Sequence, residues 1–250
     1  MPKQARNTNK RSEKVEKSFK ALPPLAPQNQ LQSEYIHAIK SHPFIFATGH
    51  PGTGKTYIPT RIASLWLKQN AIDKIILVRP AASASNSLGF FKGDHIEKMK
   101  MWLQPILSTL KEEFSPGQLE YLLSEDIGRI EFVPLETAKG SSWKNAFVIV
   151  DEAEDCNIKE IKTLMTRLGQ NSTMCICGDI NQVDIECSGV GEFLDLREKS
   201  HVLKNSTDHI DFCDYEDIVR SDAVRNVIIG WDLATGVLKE EDIDLEVEYE

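Results

Sequence analysis

Apolar residues fall along this chain in short runs, separated by longer stretches whose apolar positions repeat at helical spacing. The runs at 44–47, 75–78, 130–133, 147–150, 174–177 and 209–212 have strand length and are rich in Ile, Val, Phe and Cys. Helical patterns occupy 32–40, 55–69, 94–113, 157–168 and 189–200, the first built on Tyr35, Ile36 and Ile39 and stopped by Pro43. Continuous apolar strands alternating with helices imply a sheet covered on both faces. The pattern therefore predicts an α/β fold with a mostly parallel sheet flanked by helices. Cys175 and Cys177 alternate with Ile176, which sends both thiols to one face of their strand as small core groups.

Composition narrows the class. The 250 residues are 41% hydrophobic and 27% charged, enough apolar material for one core and too much for a wholly disordered chain. No apolar run approaches the roughly 18 residues that cross a bilayer, and the polar, basic N-terminus does not resemble a secretory signal. A soluble, cytoplasmic protein with no membrane partner is expected. The five cysteines are odd in number and lack CxxC spacing, which disfavours a disulfide framework and a zinc ribbon, and the six histidines show no metal-ligand spacing. The net charge of -9 is unevenly spread: residues 1–20 carry seven Lys/Arg against two Glu, and residues 239–250 carry seven acids against one Lys. With Pro23, Pro24 and Pro27 as punctuation, this predicts a basic flexible arm over 1–27, a folded domain over 28–238 and an acidic tail over 239–250. The arm's charge suits either nucleic-acid contact or simple solubility. Trp66, Trp102, Trp143 and Trp231 read as packing residues, with Trp143, close to Lys139 and Lys144, also a candidate for base stacking.

Three motifs carry chemistry. Gly49-His50-Pro51-Gly52-Thr53-Gly54-Lys55-Thr56 fills the GxxxxGK[ST] template between a predicted strand and a predicted helix. Its glycines let backbone N–H groups curl around a phosphate, to which the next helix offers its positive end. Lys55 is placed to reach the β- and γ-phosphates of ATP, and the Thr56 hydroxyl to bind Mg²⁺. The 147–150 strand ends in Asp151-Glu152, where Asp151 would hold the Mg²⁺ and Glu152 would polarise the attacking water. Adjacent acids also serve plain solvation, but the carboxyl end of a buried strand is where open α/β sheets bind ligands. The third motif is Gly178-Asp179-Ile180-Asn181-Gln182, again after a strand end. If this strand lies between the other two, Gln182 can sense the γ-phosphate or position water, with Asp179 shaping the loop. Turn chemistry alone also accounts for these residues.

Together these stretches resemble motifs I, II and III of superfamily 1 helicases. Further stretches resemble the PhoH family of phosphate-starvation-inducible ATPases: Val78-Arg79-Pro80-Ala81, Leu88-Gly89-Phe90-Phe91-Lys92-Gly93-Asp94, Lys139-Gly140-Ser141-Ser142 and Leu164-Met165-Thr166-Arg167-Leu168-Gly169. The resemblance spans about residues 28–230. It implies a RecA-like P-loop ATPase core that assembles into a homo-oligomer such as a hexameric ring and couples ATP hydrolysis to RNA or single-stranded DNA. It also implies that Gln32 reads the adenine edge and that Arg220 stabilises transition-state charge, with Arg167 as a rival. Arg79, Lys92, Lys139 and Lys144 are the candidate strand contacts, on loops expected near the carboxyl ends of strands. An ATP-driven switch acting on a protein partner is the alternative, and a small-molecule kinase a weaker third. The chain departs from the family at Glu154, where Gln is usual, in the Ala/Ser-rich 81–87 segment, and at Ser221. A carboxylate at 154 cannot donate a hydrogen bond as an amide does. Only 48 residues precede the P-loop, so the N-terminal nuclease domain of some relatives is not expected.

Overall fold

All six apolar runs pair into one parallel sheet. The computed structural model describes residues 22–80, 104–179 and 188–239. Helix α1 (Gln30–Ser41) leads into β1 (Phe44–Gly49), α2 (Tyr57–Lys68) and β2 (Lys74–Arg79). Then come α3 (Gln104–Glu113), α4 (Pro116–Leu123), β3 (Ile130–Pro134), β4 (Ala146–Val150), α5 (Ile158–Met165) and β5 (Thr173–Cys177). The chain closes with α6 (Gly189–Glu198), α7 (His201–Ser206), β6 (Thr207–Phe212) and α8 (Asp222–Thr235). The strand order is β3-β2-β4-β5-β1-β6, so β5 separates the P-loop strand β1 from the acidic strand β4, as the third motif required. This is the expected RecA-like P-loop architecture.

Strand alternation builds two cores. Ile45, Ala47, Ile75, Leu77, Phe147 and Ile149 face a layer that includes Tyr35 and Ile39 of α1, Ile58 and Ile62 of α2, and Ile106 and Leu110 of α3. Phe46, Ile76, Val78, Val148, Val150 and Ile176 face Ile161 and Leu164 of α5 and Val190 and Phe193 of α6. Cys175 and Cys177 share the first face, as their spacing predicts. Trp143 is buried in the second core, and Trp66 packs edge-on against Phe147 at 5.4 Å. Trp231 departs from expectation: it is 69% exposed on α8, a helix with no buried residue. Trp102 lies outside the described residues. No helix among the described residues is long and apolar enough to cross a membrane.

Three helices escape the apolar pattern: α4, the six-residue α7 and α8. Helix α4 is short, yet Ser115 accepts from the Gln118 backbone N–H while the Gln118 side chain accepts from the Ser115 N–H, a capping box with Pro116 in the first turn. That Ser-Pro-x-Gln signature was legible in the sequence. Helix α8 offers no buried stripe to detect, only a terminating Gly236 in the left-handed region at φ +74°.

Helices α2 and α3 are joined by a buried ion cluster. Glu113 pairs with Arg61 and with Lys68, and the Arg61 guanidinium also donates to Tyr57 Oη at 2.7 Å and the Pro23 carbonyl at 2.7 Å. Glu113→Ala leaves the Arg61 charge buried without its counter-ion, so it is expected to cost about 3–5 kcal/mol in urea unfolding. A loss below about 1 kcal/mol would place the pair in the class of surface ion pairs.

Candidate functional site

The P-loop is shaped by a close approach between β1 and β6. Gly49 has φ +113°, and a Cβ there would lie 2.1 Å from the Phe212 carbonyl oxygen. Glycine therefore lets the chain leave β1 while the His50 N–H donates to that same carbonyl at 2.8 Å. The His50 ring stacks on Tyr215 at 4.5 Å, and Thr53 Oγ1 donates to the His50 carbonyl at 3.0 Å. Lys55 turns back into the loop, its Nζ donating to the carbonyls of Gly49 at 2.5 Å and His50 at 2.6 Å. Burial lowers the Lys55 pKa, and nearby acids, Asp179 foremost, oppose that shift. Phosphate oxygens entering the loop would take the place of these carbonyls.

The acidic motif meets the P-loop directly. Thr56 Oγ1 donates to Asp151 Oδ1 at 2.8 Å, and burial raises the Asp151 pKa against the pull of that bond. A hydroxyl and a carboxylate side by side are hard oxygen donors of the kind that would suit a Mg²⁺ ion. Glu152 sits at φ +54°, ψ +44°, a left-handed conformation uncommon for a residue with a Cβ. Its side chain is 41% exposed, and Arg79 Nη2 lies 3.3 Å from its Oε1 while Arg79 Nη1 lies 3.8 Å from Asp151 Oδ2. Arg79, expected to touch nucleic acid, is thus held against the two acids. Lys55, Thr56, Asp151, Glu152, Glu154 and Asp179 border one cleft of about 550 Å³ at the carboxyl ends of β1, β4 and β5. Pro51, Gly52 and Gly54 border it too.

The cleft extends over residues that sequence reasoning missed. Leu25, Ala26 and Gln28 form one wall, with Ile106 and Thr109 of α3 nearby. Leu25, assigned by charge and proline content to the arm, also packs against the first core. No periodicity marks so short a strap. Gln32 is buried between this strap and the P-loop: its Nε2 donates to the Thr53 carbonyl at 3.0 Å and its Oε1 accepts from the Gln28 N–H at 2.9 Å. Arg220 reaches the cleft from beyond β6, its carbon stem lying over Gly52 so closely that a Cβ there would be 2.8 Å from Cδ.

Other candidates lie elsewhere. Arg167 is beside the amino ends of β4 and β5, where its carbonyl accepts from the Trp143 N–H at 2.9 Å. Lys144 is at the same end, not the carboxyl end expected of it, because Trp143 bridges to Leu168 just before β4 begins. Lys139 is exposed five residues after β3. Gln182 and Lys92 lie outside the described residues.

The family model described as PhoH-like protein matches residues 24–231. The chain belongs to the PhoH-like family. The match takes in every residue of the cleft, from Leu25 to Arg220. Protein PhoH of Escherichia coli K12 is 36% identical over 183 residues, 72% of this chain and 52% of its own length. The PhoH-like protein of Bacillus subtilis 168 is 36% identical over 201 residues, 80% of this chain and 62% of its own length. The chain thus spans about half to three fifths of the length of these PhoH-like relatives. Its fold is shared by the HK97 bacteriophage large terminase, with a TM-score of 0.53 and 14% identity, over 91% of this chain and 52% of that one.

Proposed function

We propose that this PhoH-like chain is a Mg²⁺-dependent ATPase whose turnover is coupled to single-stranded RNA or DNA. The Thr56–Asp151 bond carries the ATPase reading, because it joins the P-loop to the acidic strand where a metal and a γ-phosphate must meet. Lys55 and the P-loop amides would bind the phosphates, with Gly49, His50, Pro51, Gly52, Thr53 and Gly54 shaping their cradle. Thr56 and Asp151 would hold Mg²⁺, which would supply charge neutralisation at the phosphate oxygens. Glu152 would accept the proton of the attacking water, oriented by Arg79, and Arg220 would face charge developing on the phosphoryl group. Gln32 would border the base, and Gln182 would sense the γ-phosphate.

Nucleic-acid coupling rests on the resemblance, with Lys92 and Lys139 as the remaining candidate contacts. The engagement of Arg79 with Asp151 and Glu152, and the remoteness of Lys144 from the cleft, favour the switch alternative. A homo-oligomer such as a hexameric ring is supported by α8, whose Val227 and Trp231 are 68% and 69% exposed. One experiment separates the readings: steady-state ATP hydrolysis with and without single-stranded RNA or DNA, alongside sedimentation in ATP. Stimulation by a strand supports coupling, and turnover indifferent to every strand moves the function to a protein-directed switch. Sedimentation of the active protein as a monomer would remove the ring.

A further inference from the structure

Glu154 is the position where sequence reasoning found a carboxylate unsuited to an amide's task, and its surroundings change that conclusion. It lies in the single turn after Glu152 and is only 4% exposed. Its Oε2 is buried and meets no donor among the described residues. Gly178 presses against it: a Cβ at 178 would lie 2.6 Å from that oxygen and 2.8 Å from the Glu154 backbone nitrogen. The Glu152 carboxyl is within hydrogen-bonding reach. Two ionised carboxylates in contact offer only acceptors, so one proton must be shared to give the pair a donor.

The two environments decide which group carries it. Glu152 is 41% exposed and has the Arg79 guanidinium at 3.3 Å. Glu154 is enclosed, which favours its neutral acid. The other groups around Glu154 are Lys55 of the P-loop, the thiols of Cys156 and Cys177, and Asp179, whose backbone N–H partly opposes the effect of burial. Burial first, and the bond to Glu152 second, push the Glu154 pKa up to about 9.

We propose that Glu154 is a positioning residue that works as a neutral acid, donating a hydrogen bond to Glu152 and so aiming the carboxylate that polarises the attacking water. The proton stays on Glu154 throughout. The side chain thereby does what an amide at this position would do, up to the pH at which it ionises. In ordering the acid–base pair by contrasting environments, the site follows a general pattern of paired carboxylates.

This inference rests on Glu152 acting in hydrolysis, so the test has one arm that does not need turnover. In the ATPase arm, Glu154→Ala is expected to lower kcat by about 10- to 100-fold at neutral pH, the worth of a hydrogen bond to a charged group, with KM for ATP little changed. Glu154→Gln is expected to restore turnover to within about threefold of wild type, since its amide keeps the donor. Wild-type activity should fall as pH rises through about 9, and that limb should be absent from Glu154→Gln. In the second arm, the Glu154 side-chain carboxyl carbon is titrated by NMR in the protein without nucleotide, with Glu154→Gln identifying the resonance. A midpoint far above the usual carboxylate range supports the proposal, and one within that range overturns it. An alkaline limb that persists in Glu154→Gln, or failure of that variant to rescue the loss, also overturns it. Absence of Glu152-dependent hydrolysis in the wild type would instead defeat the ATPase reading, and the NMR midpoint would still place the proton.

Discussion

Glu152→Gln is expected to lower ATP turnover by about 10³-fold while leaving ATP binding intact, whereas Lys55→Ala is expected to lose both. The two side chains act on different parts of one event. Lys55 lies in the P-loop, where it contacts the Gly49 and His50 carbonyls, and a phosphate recruits its ammonium in the ground state as well as the transition state. Glu152 stands outside the loop and, as the proposed base, would contribute only when a proton leaves water. Its left-handed backbone fixes the direction of its side chain, and Gln preserves size and shape while removing the basic oxygen. The check pairs equilibrium binding of a fluorescent ATP analogue with single-turnover hydrolysis. Weak binding by Glu152→Gln would show that Glu152 builds the pocket rather than the reaction. Undiminished hydrolysis would remove it from the chemistry altogether.

The sheet was legible because buried parallel strands leave a strong imprint: each of the six apolar runs became a strand, with ends moving by two residues or fewer. The P-loop was legible for a related reason. A phosphate cradle demands glycine at fixed spacing, and Gly49 is further pinned by the Phe212 carbonyl. Contacts assembled from distant segments left no such imprint. Leu25 and Ala26 reach the cleft from a proline-rich strap, and Ile106 reaches it from a helix whose apolar residues face the core, so neither stretch announces a site. Arg79 shows the limit for charged groups. Basic residues at loop starts suggest an anionic partner, but the sheet brings β2 beside β4, and the nearest anions prove to be Asp151 and Glu152. The same limit applied to Glu154, whose chemistry depends on burial that its neighbours in sequence do not reveal.

Arg220→Ala is expected to slow hydrolysis by about 10³-fold, and the loss should not be repaired by mixing with a second defective variant. A helicase-like core in a ring can take its charge-stabilising arginine from a neighbour. The structure places Arg220 over its own Gly52. The segment is tied there by the Val219 N–H donating to the Gly52 carbonyl at 3.2 Å, by Arg225 Nη2 donating to the Ile218 carbonyl at 3.1 Å, and by Asn29 Nδ2 donating to Asp217 Oδ1 at 3.2 Å. These three anchors, at the residues just before Arg220, fix the base of this exposed arginine at the P-loop. Arg167, at the amino ends of β4 and β5, can serve only another subunit's cleft. Mixing Lys55→Ala with either arginine variant therefore separates the two sources. An arginine working within its own chain leaves the mixture inactive at every ratio, because no subunit holds both Lys55 and that arginine. An arginine working across an interface restores activity, because an intact P-loop in one subunit can meet an intact arginine from the next. Silence from the Arg220 mixture places the group in the subunit that binds the nucleotide, and recovery there would overturn that placement.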